Sequence, residues 1–419
     1  MTEQKVEILT IYGKAGSGKT TKLLELIGKT KNYVVLAPTN AAVENIWNMA
    51  VSQLPKTPNR DNFKTMYSFF RIDYENDNVL GAVYCPKNIF IDEFGLMNKY
   101  LFKRCILNAE MNGCEKIIIC GDVMQLNPIY PTKQLISLSK LNRLNQNYDK
   151  IMKQINHNNE TNLLFPSVVE HIQLNLFGTK RIRNSKLMML DSNKRANNEV
   201  KEILNNIYSG NKSFHYQFVE FYDLPKLIND EKYIFIAAKY KILQQVYDLI
   251  YENYLKQYEP IIINQSTSFK TSYKRLYLIP GMNIIACDTV KNEYINGQEL
   301  IFSGNIESQG LKCINPLNNE TIYIHECKDR FNNNYFPITP SYLLSVHKSQ
   351  GRSIEKVIVC IDDMFEISML YTAITRSKSV LRFYSKEQVS NRIDKLIENA
   401  FIPEFKQLNT MARFMYSVH

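Results

Sequence analysis

The most constraining feature of the chain is a glycine-rich segment near its start, Gly13-Lys14-Ala15-Gly16-Ser17-Gly18-Lys19-Thr20. An apolar run from Lys5 to Tyr12 precedes this segment, and a helical pattern from Thr21 to Ile27 follows it. A strand, a glycine-rich turn and a helix in this order form the context of a phosphate-binding loop. The glycines let backbone N–H groups point at a phosphate, and the N-terminal end of the helix favours an anion. The sequence therefore predicts a nucleoside triphosphate site.

Two residues of this loop carry specific chemistry. Lys19 is expected to reach the β- and γ-phosphates, and the Thr20 hydroxyl is expected to ligate Mg²⁺. The loop alone does not distinguish a kinase, a GTPase, a motor or a helicase. The candidate nucleotide-binding residues of the loop are Gly13, Gly16, Ser17, Gly18, Lys19, Thr20 and Thr21.

Two further apolar runs end in polar residues suited to phosphate chemistry. Lys87 to Ile91 is followed by Asp92, expected to hold Mg²⁺, and by Glu93, expected to polarise an attacking water as general base. A second acid favours hydrolysis, because in a small-molecule kinase the substrate hydroxyl replaces that water. Glu115 to Cys120 runs into a turn that carries Gln125, whose amide both donates and accepts and so suits a γ-phosphate sensor.

Two segments of the C-terminal half indicate which class of P-loop NTPase the chain resembles. Leu343 to Ser353 (LLSVHKSQGRS) and Met369 to Lys378 (MLYTAITRSK) each precede a β-branched strand. In this order after the N-terminal motifs, they resemble motifs V and VI of superfamily 1 helicases. The chain resembles most the RecD-like and Dda-like branch, superfamily 1B, and it is also similar to the replicative helicases of nidoviruses and alphaviruses. The remaining motifs match in order: I at 13–20, Ia at 37–42, a DNA-contacting segment at 64–69, II at 91–93, III at 121–128 and IV at 190–195.

The resemblance implies an α/β fold with two RecA-like P-loop NTPase lobes, each a parallel sheet flanked by helices. It implies an ATP site in the cleft between the lobes. A small hairpin insertion (1B) is expected to offer Tyr74 or Tyr84 as a wedge that splits a duplex. The expected parts are lobe 1A at 1–189, with the 1B insertion near 71–86 and a basic insertion near 131–189; lobe 2A at 190–384, with a β-barrel-like insertion (2B) near 259–338; and a helical tail at 385–419.

The resemblance also implies which residues of the second lobe act on the nucleotide. Arg195 and Arg376 are expected to face the γ-phosphate, where an arginine stabilises the charge of the transition state. Gly351 is expected to join the same site. Short polar residues at strand and helix ends are expected to bind nucleic-acid phosphates without reading sequence, and Tyr67 is expected to stack on a base. The nucleic-acid candidates are Pro38, Thr39, Asn40, Thr65, Tyr67, Ser68, His347, Ser349 and Gln350.

The charge balance agrees with a polyanionic partner. The 419 residues hold 51 Lys and Arg against 41 Asp and Glu, a net charge of +10. Residues 131–190 alone hold nine basic and three acidic residues. This segment is either a solvated insertion or a surface for nucleic acid or for a replication protein. The C-terminal tail is a second candidate surface for such a protein.

Cysteine spacing and hydropathy place the chain among intracellular proteins. The eight cysteines form no C-x-x-C pair, which argues against a disulfide framework and a zinc finger and fits a reducing compartment. No apolar run approaches the ~18 residues of a membrane helix, and Met1 to Glu7 has no signal-peptide pattern. No membrane partner is expected.

The leading hypothesis is an NTP-dependent 5′→3′ DNA helicase acting on single strands and on single-strand/duplex junctions. Its compact size and Asn-, Lys-, Ile- and Tyr-rich composition favour a virus or mobile element. An RNA helicase of the viral superfamily 1 type and a non-motor nucleic-acid-binding ATPase remain alternatives; a P-loop kinase leaves 347–351 and 371–376 unexplained. RecD-like relatives carry an adenine-reading glutamine before motif I, whereas only twelve residues precede Gly13 here and Gln4 is a poor candidate. Other triphosphates besides ATP therefore stay open as substrates.

Overall fold

The computed structural model describes residues 6–73, 78–82, 84–94, 99–122, 125, 186–190, 193–209, 217–265, 273–290, 293–329, 332–364, 367–386, 393–394 and 396. These residues divide into two compact units. The first comprises 6–39 and 46–190, and the second comprises 40–45 and 193–396. Residues 131–185 of the basic insertion, Tyr74 and most of the C-terminal tail lie outside the described residues.

The described elements up to residue 190 comprise both helices and strands. The four helices are α1 Lys19–Ile27, α2 Asn40–Gln53, α3 Met66–Phe69 and α4 Lys99–Met111, and a 3₁₀ turn lies at Arg60–Asn62. The eight strands are β1 Glu7–Gly13, β2 Tyr33–Ala37, β3 Phe63–Thr65, β4 Ile72–Asp73, β5 Asn78–Val79, β6 Asn88–Ile91, β7 Lys116–Gly121 and β8 Lys186–Leu190.

Six of these strands form one parallel sheet in the order β3-β2-β6-β7-β1-β8. Its central strands are near-continuous apolar runs because helices cover a parallel sheet on both faces. In β7, for example, Ile117, Ile118, Ile119 and Cys120 are all at most 2% exposed. Parallel strands end at a common edge, so the residues that follow β1, β6 and β7 meet there. The remaining strands, β4 and β5, pair as a small antiparallel hairpin.

The second unit contains a four-stranded parallel sheet and a β-rich insertion. Its helices are α5 Asn198–Ser209, α6 Leu224–Asn229, α7 Tyr240–Ile250, α8 Val346–Ser349 and α9 Ile367–Ile374; single turns lie at Phe221–Asp223, Tyr251–Leu255 and Lys256–Tyr258. Its strands are β9 Ile234–Ala237, β10 Ile261–Asn264, β11 Arg275–Leu278, β12 Asn283–Ala286, β13 Glu299–Glu307, β14 Gly310–Ile314, β15 Thr321–Ile324, β16 Cys327–Lys328, β17 Asn334–Tyr335, β18 Ile338–Pro340, β19 Leu343–Ser345, β20 Ile354–Cys360 and β21 Ser377–Tyr384.

The parallel sheet of this unit has the order β19-β9-β20-β21. Between α7 and β19 the chain forms an antiparallel sheet, β15-β14-β13-β12-β18, and two hairpins, β10–β11 and β16–β17. We call residues 261–340 the β-rich insertion. Tyrosines join it to the parallel layer: the Tyr247 hydroxyl donates to Tyr277 O at 2.8 Å, and the Tyr273 hydroxyl donates to Leu343 O at 3.1 Å. Side chains of both layers share one hydrophobic core.

The architecture agrees with the predicted fold class of two parallel α/β sheets with a hairpin and a β-rich insertion. Within the described part of the chain, no helix has both the length and the apolar character that a membrane crossing requires.

Candidate functional site

The glycines of the phosphate loop are explained by backbone geometry. Gly16 and Gly18 have φ angles of 76° and 86°, in the left-handed region that favours glycine. Gly18 is also the residue before α1. A Cβ added to Gly13 would lie 2.3 Å from Leu190 O, so β8 leaves no room for a side chain there. The loop is therefore tightly wound between β1 and α1, as its sequence predicts.

Polar groups of the loop point to an anion. Lys19 Nζ donates to Gly13 O at 2.7 Å and to Lys14 O at 2.9 Å, which holds the ammonium inside the loop. Ser17 is only 3% exposed, and its Oγ has no hydrogen-bond partner among the described residues. Buried polar atoms normally have partners, so an orphan hydroxyl in this loop fits a phosphate oxygen. Thr21, also a candidate, is exposed at the start of α1.

Thr20 and Asp92, 72 residues apart, meet at the carboxyl edge of the first sheet. The Thr20 hydroxyl donates to Asp92 Oδ2 at 3.1 Å. A hydroxyl and a carboxylate are the hard oxygen donors that Mg²⁺ takes alongside nucleotide phosphates. The two predicted metal ligands therefore fit a magnesium ion.

The environment of Asp92 includes a residue that the motifs did not indicate. Burial raises the pKa of Asp92, and the Glu93 N–H, the Thr20 hydroxyl, the Cys120 thiol and the Lys19 charge oppose this. Burial also raises the pKa of the Cys120 thiol well above its usual range, and the neighbouring Asp92 carboxylate acts in the same direction. The pairing of Ile91 with Ile119 places Asp92 and Cys120 side by side at the ends of β6 and β7. Only this register, which a sequence does not state, would have identified Cys120.

Glu93, the predicted general base, has an unusual backbone. Its φ is 53°, in the left-handed region, and its N–H donates to Asp92 Oδ1 at 2.9 Å. A non-glycine residue pays about 1–2 kcal/mol for this conformation. Such strain clusters at functional sites. The turn interrupts strand alternation directly after β6, which lets consecutive carboxylates serve one site.

The turn after β7 places Gln125 in the same region of the sheet. Gly121 ends β7 against Phe94, and a Cβ there would lie 2.6 Å from the Phe94 ring. Asp122 and Gln125 are both buried, and the Gln125 backbone N–H donates to Asp122 O at 3.4 Å. The position agrees with the predicted phosphate-sensing glutamine, whose role stays a prediction.

The predicted arginines of the second unit differ in their surroundings. Arg376 is 2% exposed, and its guanidinium donates to Thr372 O at 3.0 Å, Thr375 Oγ1 at 2.8 Å and Arg352 O at 3.4 Å. Arg195 is exposed, and its backbone N–H donates to Asn193 Oδ1 at 2.9 Å. The orientation of Arg376 is therefore fixed by its own unit. Gly351, with φ of 79°, occupies a left-handed position just before Arg352.

Two of the nucleic-acid segments share one local design. Thr65 ends β3 and its Oγ1 accepts from Ser68 N at 3.1 Å, starting α3. Ser345 ends β19 and its Oγ accepts from Lys348 N at 3.2 Å, starting α8. Each unit thus carries, after an edge strand of its parallel sheet, a one-turn helix with a hydroxyl cap. Threonine or serine three residues before the capped amide is the sequence signal of both turns.

The other nucleic-acid candidates differ in accessibility. Thr39, Asn40, Ser68 and His347 are exposed, and Gln350 is half-buried. Pro38 is buried, and the fully buried Ser349 donates its hydroxyl to Val346 O at 2.7 Å. Tyr67 is half-buried and packs against the core of the first unit. Tyr84, a predicted wedge residue, is 67% exposed.

Comparison with known proteins gives a consistent set of similarities. No family model matches the chain. Over 338 residues it is 26% identical to the ATP-dependent DNA helicase Pif1 of Campylobacter jejuni. The aligned region covers 72% of this chain and 70% of the relative.

Solved Pif1 structures share the fold. A structure of two coordinating Pif1 helicases at forked dsDNA has a TM-score of 0.57, 19% identity and coverage of 99% of this chain and 94% of that one. Bacteroides Pif1 with ADP-AlF3 and ssDNA has a TM-score of 0.56, 18% identity and coverage of 99% and 95%. The resemblance predicted from the ordered motifs is thus confirmed: the chain is similar in sequence to a Pif1 helicase, and it shares the fold of solved Pif1 helicases.

Proposed function

We propose that the chain is an ATP-dependent DNA helicase that hydrolyses ATP to move along single-stranded DNA and to unwind duplexes. One observation carries this proposal: the hydrogen bond between Thr20 and Asp92 brings the phosphate loop, with Lys19 inside it, to the sheet edge where the strained Glu93 follows Asp92. The names of the relatives support it: the Campylobacter jejuni protein is an ATP-dependent DNA helicase, and solved Pif1 proteins hold ssDNA or act at forked dsDNA.

In the proposed reaction, water attacks the γ-phosphorus of ATP and the bond from that phosphorus to the bridging oxygen breaks. ADP and inorganic phosphate are the products. Lys19 binds the phosphates, and Glu93 accepts the proton of the water. Thr20 and Asp92 would hold Mg²⁺, which neutralises phosphate charge. Gln125 orients the water or the γ-phosphate, and Arg376 stabilises the transition-state charge, with Arg195 as a second candidate.

Replacing Glu93 by glutamine should leave nucleotide binding intact and slow turnover about 10²- to 10⁴-fold, because an amide does not accept the proton. Phosphate release under saturating Mg-ATP measures turnover, and a fluorescent ATP analogue measures binding. The matched control is Glu115→Gln, which changes an exposed carboxylate paired with Lys87 before β7 and should leave turnover unchanged. A Glu93→Gln protein with wild-type turnover would show that another group takes the proton.

For DNA, we propose that the capped turns at Thr65 and Ser345 bind backbone phosphates. Exposed Ser68 and His347 lie on these turns, and short polar groups of this kind bind phosphates without reading sequence. The lobes would close on ATP and reopen after hydrolysis. This cycle would move the two phosphate-binding turns alternately along one strand. The 5′→3′ direction belongs to the proposal through the superfamily 1B resemblance alone. A role in viral or mobile-element replication belongs to it through the Asn-, Lys-, Ile- and Tyr-rich composition.

Unwinding of tailed duplexes tests the proposal. DNA duplexes with a 5′ single-stranded tail should be unwound with ATP, and duplexes with a 3′ tail should not. Unwinding only from 3′ tails would contradict the direction, and activity on RNA alone would support the RNA helicase alternative instead. Exchanging ATP for other triphosphates in the same assay establishes the base preference.

A further inference from the structure

Arg352 links the β-rich insertion to Arg376 within the second unit. One guanidinium nitrogen of Arg352 forms an ion pair with Glu299, the first residue of β13, and the other donates to Gly297 O at 3.0 Å. Its carbonyl accepts from the Arg376 guanidinium at 3.4 Å. Two residues on, Ile354 N donates to Arg376 O at 2.9 Å. Arg352 thus contacts the insertion through its side chain and Arg376 through its backbone.

Arg352 contacts the turn at residues 295–298, whose conformation is fixed by its own hydrogen bonds. Gly297 has a φ of 94°, its N–H donates to Ala286 O at 2.8 Å, and Ala286 N donates back to Gln298 O at 2.9 Å. The Gln298 side chain accepts from Ile295 N at 3.1 Å. Because the turn is fixed to β12 in this way, a displacement of the insertion carries Gly297 O and Glu299 with it. The Arg352 side chain, bonded to both groups, would move with them.

A second contact ties the same segment to the insertion. Lys348 Nζ donates to Cys287 Sγ at 2.9 Å and lies 5.9 Å from the centre of the Tyr240 ring. Cys287 follows β12, and its backbone N–H donates to Pro337 O at 2.6 Å. Both ends of residues 348–352 are therefore anchored on the β-rich insertion.

We propose that Arg352 is a positioning residue: through its contacts with Glu299 and Gly297 it sets the place of the Arg376 guanidinium according to the position of the β-rich insertion. The inference rests on the proposed ATP hydrolysis, in which Arg376 stabilises the transition state. An effect transmitted to such a residue appears in kcat and leaves the KM for ATP unchanged, because the interaction strengthens only in the transition state.

The test measures kcat and KM for ATP hydrolysis by the full chain with saturating single-stranded DNA. Arg352→Gln should lower kcat about tenfold and Glu299→Gln about threefold, with the KM for ATP unchanged. The double variant should be no slower than Arg352→Gln, because both substitutions remove the same ion pair between Arg352 and Glu299. Arg352→Lys keeps the charge opposite Glu299 but not the planar pair of donors, so its kcat should lie between those of wild type and Arg352→Gln.

The matched control is Glu307→Gln. Glu307 is the last residue of β13, and its carboxylate bonds Lys312 and Tyr323 within the insertion, away from Arg352. Its kcat should stay at the wild-type value. The inference is overturned if Glu299→Gln behaves like Glu307→Gln, if the two losses multiply in the double variant, or if each loss equals the unfolded fraction in a thermal melt. A wild-type protein without DNA-stimulated hydrolysis would instead contradict the proposed function.

Discussion

Replacing Lys19 by alanine should abolish ATP hydrolysis, with a fall of about 10³-fold or more in the rate of phosphate release. Lys19 Nζ already lies within the loop, 2.7 Å from Gly13 O and 2.9 Å from Lys14 O. A phosphate bound in the loop would meet this ammonium, whose charge stabilises the γ-phosphoryl group as it is transferred. Removing it leaves the phosphate charge without that stabilisation. Phosphate release with Mg-ATP measures the effect.

The control for this prediction is Lys22→Ala, on the same helix. Lys22 is partly exposed and pairs with Glu25 at 2.6 Å on the surface of α1. Its loss should cost little, because exposed ion pairs contribute at most about 1 kcal/mol. Hydrolysis by Lys19→Ala within tenfold of the Lys22→Ala rate would contradict the assignment of the phosphate loop.

Replacing Arg376 by lysine should lower kcat by about 10³-fold while ATP still binds. Lysine keeps a positive charge but lacks the planar set of donors that now reaches Thr372 O, Thr375 Oγ1 and Arg352 O. The charge is therefore expected to lose its fixed position. Single-turnover phosphate release measures the chemical step, and binding of a fluorescent ATP analogue separates it from affinity.

Because Arg376 is buried, a thermal melt must accompany the kinetics. Arg382→Lys on β21 is the control; the Arg382 guanidinium contacts Gln217 and, at 3.4 Å, the Tyr233 hydroxyl. It should keep the wild-type kcat. An Arg376→Lys protein that melts like wild type and hydrolyses ATP within tenfold of it would exclude Arg376 as the stabilising arginine and turn attention to Arg195.

The parts of the site that sequence predicts are those built from local chain geometry. The strand, loop and helix around Gly13 to Thr20 are contiguous, so their pattern contains nearly all the information that their structure needs. Asp92 and Gln125 follow from the rule that parallel strands end at a common edge. The apolar runs before them mark those strands, since both faces of a parallel sheet are buried.

The parts that sequence does not predict depend on contacts between distant segments. Cys120 lies beside Asp92 through strand register, and Arg352 meets Glu299, 53 residues away, through the topology of the insertion. The left-handed backbone of Glu93 is likewise not indicated by the sequence, because non-glycine residues, glutamate included, rarely adopt it. The interpretation of residues 131–189 as a nucleic-acid or partner surface stays a prediction.

We propose that ATP hydrolysis at this phosphate loop drives movement on DNA. Its most direct test is the rate of phosphate release from Mg-ATP with and without single-stranded DNA, at two salt concentrations. DNA should raise this rate, and the DNA concentration for half-maximal stimulation should rise steeply with salt, because phosphate contacts dominate such binding. A rate that neither DNA nor RNA changes at either salt concentration would contradict it.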